Sequence, residues 1–131
     1  QGRVLAQAVT ATRDQPPFAA AAMDGYAIAA SDLAAGMQTW QVIGLSAAGH
    51  RFSNPVAAGQ TTRIFTGAPM PQGTDHVFIQ ENVRAEDGKI TLIAGPNDAA
   101  YLRPAGSDFT EGYRLSAPGA CPRKISRFWP L

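Results

Sequence analysis

The sequence predicts a mainly β fold with short helices. Three observations carry this: 13 Gly and 10 Pro stand among the 131 residues, long apolar runs are few, and β-branched or aromatic residues recur in brief stretches between turn signals. Hydrophobic residues make up 45% of the chain, an ordinary share for a globular protein. Charged residues make up only 16%, which excludes disorder driven by charge.

Arg3 to Thr10 is rich in Val, Leu and Ala and reads as a strand. It is followed by Asp14-Gln15-Pro16-Pro17, where two prolines forbid helix or central strand and impose an extended turn. Phe18 to Met23 has the alanine content of a helical turn, but Gly25 follows at once and Tyr26-Ala27-Ile28 reads as extended. Ser31 is placed to cap a short helix through Ala35 that Gly36 ends. Gln38 to Leu45 and Thr61 to Phe65 show the rough alternation of strands, with the loop from Asn54-Pro55 to Gly59 between them. His76 to Val83 and Lys89 to Ala94 read as the arms of a hairpin around Arg84 to Gly88, because Asp87-Gly88 accepts the positive φ of a tight turn. Beyond Gly95-Pro96 the chain is irregular until Tyr101-Leu102, and Ala117 to Leu131 shows no period at all.

The formal net charge of +1 lacks the basic excess of a phosphate-backbone binder, so nucleic acid is excluded as a default partner. Cys121 is the only cysteine, which rules out an internal disulfide or a multi-thiolate zinc site and fits a reducing, cytoplasmic setting. The longest apolar stretch, Phe18 to Met23, is far short of the roughly 20 residues that cross a bilayer, and no signal segment opens the chain, so no membrane role is expected. A start at Gln1 points to a piece of a longer polypeptide.

Chemistry has three candidate loops. In Ala22-Met23-Asp24-Gly25-Tyr26 a carboxylate precedes a glycine that lets backbone approach a ligand; the local pattern alone favours a plain Asp-Gly turn. Arg63-Ile64-Phe65-Thr66-Gly67-Ala68-Pro69 puts a hydroxyl and a free backbone NH at a strand end, or is simply a turn. Arg103 to Asp108 carries one cation and one anion around Gly106, or a weak surface ion pair. Gln80-Glu81 reads as a solvated face, and His50 and His76 lack metal-ligand spacing. No phosphate-binding P-loop, Rossmann glycine pattern or Gly-x-Ser-x-Gly elbow occurs.

In order, Gly2-Arg3-Val4-Leu5-Ala6, Pro16-Pro17-Phe18, Ala22-Met23-Asp24-Gly25-Tyr26-Ala27, Arg63-Ile64-Phe65-Thr66-Gly67-Ala68-Pro69-Met70-Pro71-Gln72-Gly73, Gln80-Glu81 and Arg103-Pro104-Ala105-Gly106-Ser107-Asp108 form one specific set. Over about residues 2–115 the chain resembles the N-terminal region of the molybdopterin molybdenumtransferase family, which includes MoeA and the gephyrin E domain. The resemblance implies an enzyme of molybdenum cofactor biosynthesis. Its substrates are adenylylated molybdopterin and molybdate, AMP is released with help from Mg2+, and molybdenum is left on the pterin dithiolene. It implies a homodimer, with the molybdopterin adenylyltransferase as a candidate partner, and a cleft shared with a third domain that this chain does not resemble.

By position, the resemblance makes Asp24, Thr66 and Asp108 catalytic residues and Gly25 and Gly67 cofactor-binding ones; it assigns no metal ligand outright. Carboxylates near a phosphoanhydride can hold magnesium directly or through water, and a threonine hydroxyl with neighbouring NH groups can donate to oxyanions. Ala19 and Ala21 stand where the family commonly has Asp and Ser, and Ser107 replaces an acid. After Leu115 the match stops, and residues 117–131 look like a shifted reading frame or an appended tail.

The expected organisation is a small elongated dimerisation domain from residues 2–18 and 103–116, with a compact, bifurcated or barrel-like β domain, residues 19–102, inserted between them. Pro16-Pro17 and Arg103-Pro104 mark the boundaries. The expected function is that of an enzyme fragment inactive alone; the rival is a non-catalytic dimerisation or scaffold module.

Overall fold

The computed structural model describes residues 5–95 and 99–115. The expectations placed on Gly2 to Val4, Pro96, Cys121 and residues 117–131 lie outside these. The described chain is mainly β, with strands β1 (Val9–Thr10), β2 (Ala20–Ala21), β3 (Gly25–Ile28), β4 (Thr39–Ser46), β5 (Gln60–Ile64), β6 (His76–Ile79), β7 (Val83–Glu86), β8 (Lys89–Leu92), β9 (Leu102–Arg103) and β10 (Arg114–Leu115). One short helix, α1 (Ala30–Ala34), and a 3-10 turn at Gln80–Asn82 complete it.

Six strands form one curled, half-barrel sheet in the order β6-β3-β5-β4-β8-β7. Its pairings are antiparallel except β4 with β5, whose parallel register shifts between Val42 and Gly44. Two small sheets pair β1 with β10 and β2 with β9. The first brings the ends of the described chain together: Val9 faces Leu115, the Ala11 NH donates to the Tyr113 carbonyl, and Gln15 bridges Phe109.

Alternation along the strands sends side chains to opposite faces. Ala27, Ile64 and Val77 join Ala21, Ala68 and Met70 on one face, while Ile28, Phe78, Trp40, Val83 and Ile90 pack on the other. Trp40 and Phe78 meet edge to face at 5.3 Å. Buried Asp32 of α1 accepts from the Trp40 indole NH at 2.9 Å and the Gly59 NH at 3.0 Å, so one carboxylate oxygen ties helix, sheet and loop together.

Four expectations are corrected. The first strand shrinks to Val9–Thr10, both exposed, because it pairs only with β10. The alanine-rich segment holds the strand β2 rather than a helical turn: Ala21 donates to the Ala68 carbonyl, and both β2 residues are buried, so tertiary pairing overrides helix propensity. Ser31 does not cap α1; the helix begins one residue earlier, and its first NH, of Ala30, is satisfied from afar by the Asp75 carboxylate at 2.7 Å. The hairpin is shorter than the two runs expected to form its arms. Val83–Glu86 pairs with Lys89–Leu92 around Asp87 (φ 50°) and Gly88 (φ 71°), whereas His76–Ile79 pairs with β3 at the other edge of the sheet. The 3-10 turn between them redirects the chain, and the Asp87-Gly88 geometry is the type that suits two-residue hairpins.

Candidate functional site

β3 and β5 are antiparallel neighbours, with Gly25 opposite Ile64. The residue before β3 and the turn after β5 therefore come out at the same end of the sheet. There the Asp24 carboxylate accepts two hydrogen bonds on one oxygen, from the Thr66 NH at 2.8 Å and from the Thr66 hydroxyl at 2.7 Å. These bonds hold its pKa below 3.8, the backbone NH contributing most, the hydroxyl next, and the Arg63 charge adding a little against a small desolvation cost. Asp24 thus stays ionised across the neutral range, with Oδ2 not engaged by any described residue.

The glycines owe their places to different constraints. A Cβ at Gly25 would lie 1.8 Å from the Phe78 carbonyl oxygen of β6, so a side chain is excluded by the sheet itself. Gly67 has φ +80° with open space around it and turns the chain after Thr66. The expectation of a free NH at this turn is corrected: Thr66 donates to Asp24, Gly67 to the Ala21 carbonyl and Ala68 to the Phe65 carbonyl. The donors at this strand end are spent on holding the loop, and the Thr66 hydroxyl proton is spent on Asp24.

Asp108 sits apart from this clasp in its bonding. Its carboxylate pairs with Arg103 at 2.7 Å, and its NH donates to the Gln15 carbonyl. Thus Asp24 and Thr66 are joined directly, while Asp108 belongs to the loop that ties residues 103–108 to the Pro16 turn. His50 and His76 take no part, and among the described residues no cluster of three His, Cys, Asp or Glu could hold a metal ion.

Arg63 and Gln80 lie within the ordered motifs, but sequence alone assigns neither a role in the site. Arg63 stands opposite Tyr26 across β3 and β5, and its guanidinium lies 5.1 Å from the Tyr26 ring and 4.9 Å from the Phe65 ring. It donates to the Gly25 carbonyl at 3.3 Å and to the Gln80 side-chain oxygen at 2.6 Å. The Gln80 NH in turn donates to the Asp24 carbonyl at 3.3 Å. Gln80 is exposed, as a solvated face requires, yet it is tied to the site. The available signal was period two: Arg63 and Phe65 share a strand face, and Thr66 comes next.

Residues 1–121 match the family described as the MoeA N-terminal region, domains I and II. The chain is 38% identical over 119 residues to the molybdopterin molybdenumtransferase of Haemophilus influenzae, covering 90% of this chain and 29% of that protein. It is 34% identical over 118 residues to the enzyme of the same name from Nostoc sp., covering 87% and 27%. The crystal structure of a molybdopterin biosynthesis moeA protein from Pyrococcus horikoshii OT3 superposes with a TM-score of 0.76 at 30% identity, covering 97% of this chain and 35% of that one. The chain therefore spans less than a third of the length of these two curated relatives.

Proposed function

Because the chain belongs to the MoeA N-terminal family, we propose that it is the N-terminal part of a molybdopterin molybdenumtransferase and supplies Asp24 and Thr66 to a cleft completed by the rest of that enzyme. The observation that carries this is the two-point clasp of Thr66 on Asp24. A turn-forming aspartate needs only local bonds; this one is bound twice by a residue 42 positions away. The substrates are adenylylated molybdopterin and molybdate, and the reaction releases AMP in the cytoplasm, downstream of the molybdopterin adenylyltransferase.

The chain's own part in the chemistry is electrostatic positioning. Thr66 binds one oxygen of Asp24 and leaves Oδ2 without a partner among the described residues, a preorganised ligand for a cation that would offset the negative charge developing at a phosphoanhydride. One carboxylate oxygen fits a magnesium ion that keeps water and phosphate oxygens as its other ligands; Asp24 would hold it, and the ion would neutralise charge on the phosphate oxygens. Asp108, fixed by Arg103, is the second carboxylate this chain brings to the enzyme. Gly67, with open space around it, lets the Thr66 turn approach the pterin nucleotide closely, whereas Gly25 acts by letting β3 pack against β6.

In the full-length parent enzyme carrying these residues, Asp24→Ala should slow AMP release about 100- to 1,000-fold, by analogy with loss of one preorganised group. Its melting temperature should stay close to that of the parent, since a partly exposed loop carboxylate has little packing to lose. An unchanged rate would reduce Asp24 to a turn residue.

We also propose that residues 2–18 and 103–116 form a dimerisation unit around the inserted β domain, residues 19–102. The β1–β10 pair is too small to bury a core alone, and Val9 on it and Tyr113 just before β10 are 40% and 53% exposed. Light scattering at micromolar concentration should give twice the 13.8 kDa chain mass. A compact monomer would refute the dimer.

A further inference from the structure

We propose that Arg63 is the positioning residue of the Asp24–Thr66 pair: clamped between Tyr26 and Phe65, it fixes the main chain from which Asp24 projects. This rests on the reading of that pair as the reactive end of the chain.

The geometry is that of a wedge. Arg63 leaves β5 on the face shared with Tyr26, and the guanidinium is placed against both aromatic rings at 5.1 and 4.9 Å, within the range of a cation–π contact on each. The fork then spends one nitrogen on the carbonyl of Gly25, the residue after Asp24, and the other on the Gln80 side chain. Gln80 closes the loop by donating its NH to the carbonyl of Asp24 itself. The peptide groups on both sides of the Gly25 Cα are therefore held, one by the Arg63 side chain and the other by the main-chain NH of its partner Gln80. The carboxylate end of Asp24 is held separately by Thr66. Without the wedge, the main chain at Asp24 and Gly25 shifts against the Thr66 turn, which weakens the Thr66 bonds and changes the direction of Oδ2 while Asp24 stays ionised. Lysine cannot replace arginine here, because a single ammonium neither stacks flat on two rings nor reaches two acceptors from a planar fork.

Three variants test this: Arg63→Met, Arg63→Lys and Gln80→Ala, the last at an exposed position where folding is not at risk. In the full-length parent each should lower kcat for AMP release about 10- to 100-fold, the cost of a small misplacement of a catalytic group, with KM held within about twofold. In this chain, the Thr66 amide should exchange with solvent about tenfold faster or more, because its bond to Asp24 is weakened, while the core Thr62 amide keeps its rate. Unchanged kcat and unchanged Thr66 exchange in Arg63→Met would overturn the proposal, and Arg63→Lys decides the same question if Arg63→Met fails to fold; Gln80→Ala, which removes only the Arg63–Gln80 bond, should show the smallest effect of the three. Full rescue by Arg63→Lys would overturn it too, since charge alone would then suffice. Loss of the proposed function has a separate signature: Asp24→Ala would leave AMP release unaltered while the exchange effect of Arg63→Met persisted.

Discussion

Gly25→Ala should destabilise the chain by about 3 kcal/mol or more, at the upper end of what overpacking costs, and lower the melting temperature by roughly 10 °C. The added Cβ would stand 1.8 Å from the Phe78 carbonyl oxygen and 3.1 Å from the Ile79 Cα, both of them main chain that cannot rotate away. Relief requires β6 to move off β3, and those strands are paired from Gly25–Ile79 to Ile28–His76. The strain also falls on the Gln80 NH that donates to the Asp24 carbonyl, so activity in a parent enzyme should fall with stability. Thermal denaturation followed by circular dichroism checks this. A melting temperature equal to that of the unsubstituted chain would mean that β3 and β6 do not approach so closely, and that glycine is needed here only for a ligand.

Trp40→Ala should be as damaging, at about 3–5 kcal/mol, because it deletes the largest fully buried side chain of the core. The indole packs with Phe78 and Ile90 in one buried cluster and also donates to Asp32. Trp40→Phe separates the two contributions. It retains an aromatic ring but leaves the buried Asp32 oxygen with Gly59 as its remaining partner, which should cost about 1–3 kcal/mol. Urea denaturation reads both variants. A midpoint for Trp40→Phe equal to that of the unsubstituted chain would show that the Asp32 bond adds nothing to stability.

How far the sequence could be read depended on the range of the interaction involved. Tyr26 to Ile28 and the Asp87-Gly88 turn were legible because φ preferences and alternation act within a few residues. The Phe18 to Met23 segment misled because alanine favours helix in isolation, whereas Ala20 and Ala21 are buried by β9 and the Pro69 loop. The hairpin arms misled because His76 to Val83, read as one strand, is divided by the Gln80–Asn82 turn, and its two ends serve opposite edges of the same sheet. No local pattern reports that division.

By itself the sequence determined the mainly β class, the two loops that hold Asp24 and Thr66, and through their ordered motifs the family. Only the tertiary structure decided that one Thr66 residue clasps Asp24 with both donors, that the Gly67 NH is already taken, and that Asp108 is paired with Arg103. It also decided that Arg63 sits between two rings beside the site. The reason is that composition and turn chemistry are properties of neighbours in the chain. The partners of a carboxylate are chosen by strand order, and strand order follows from burying apolar faces contributed by residues far apart in sequence.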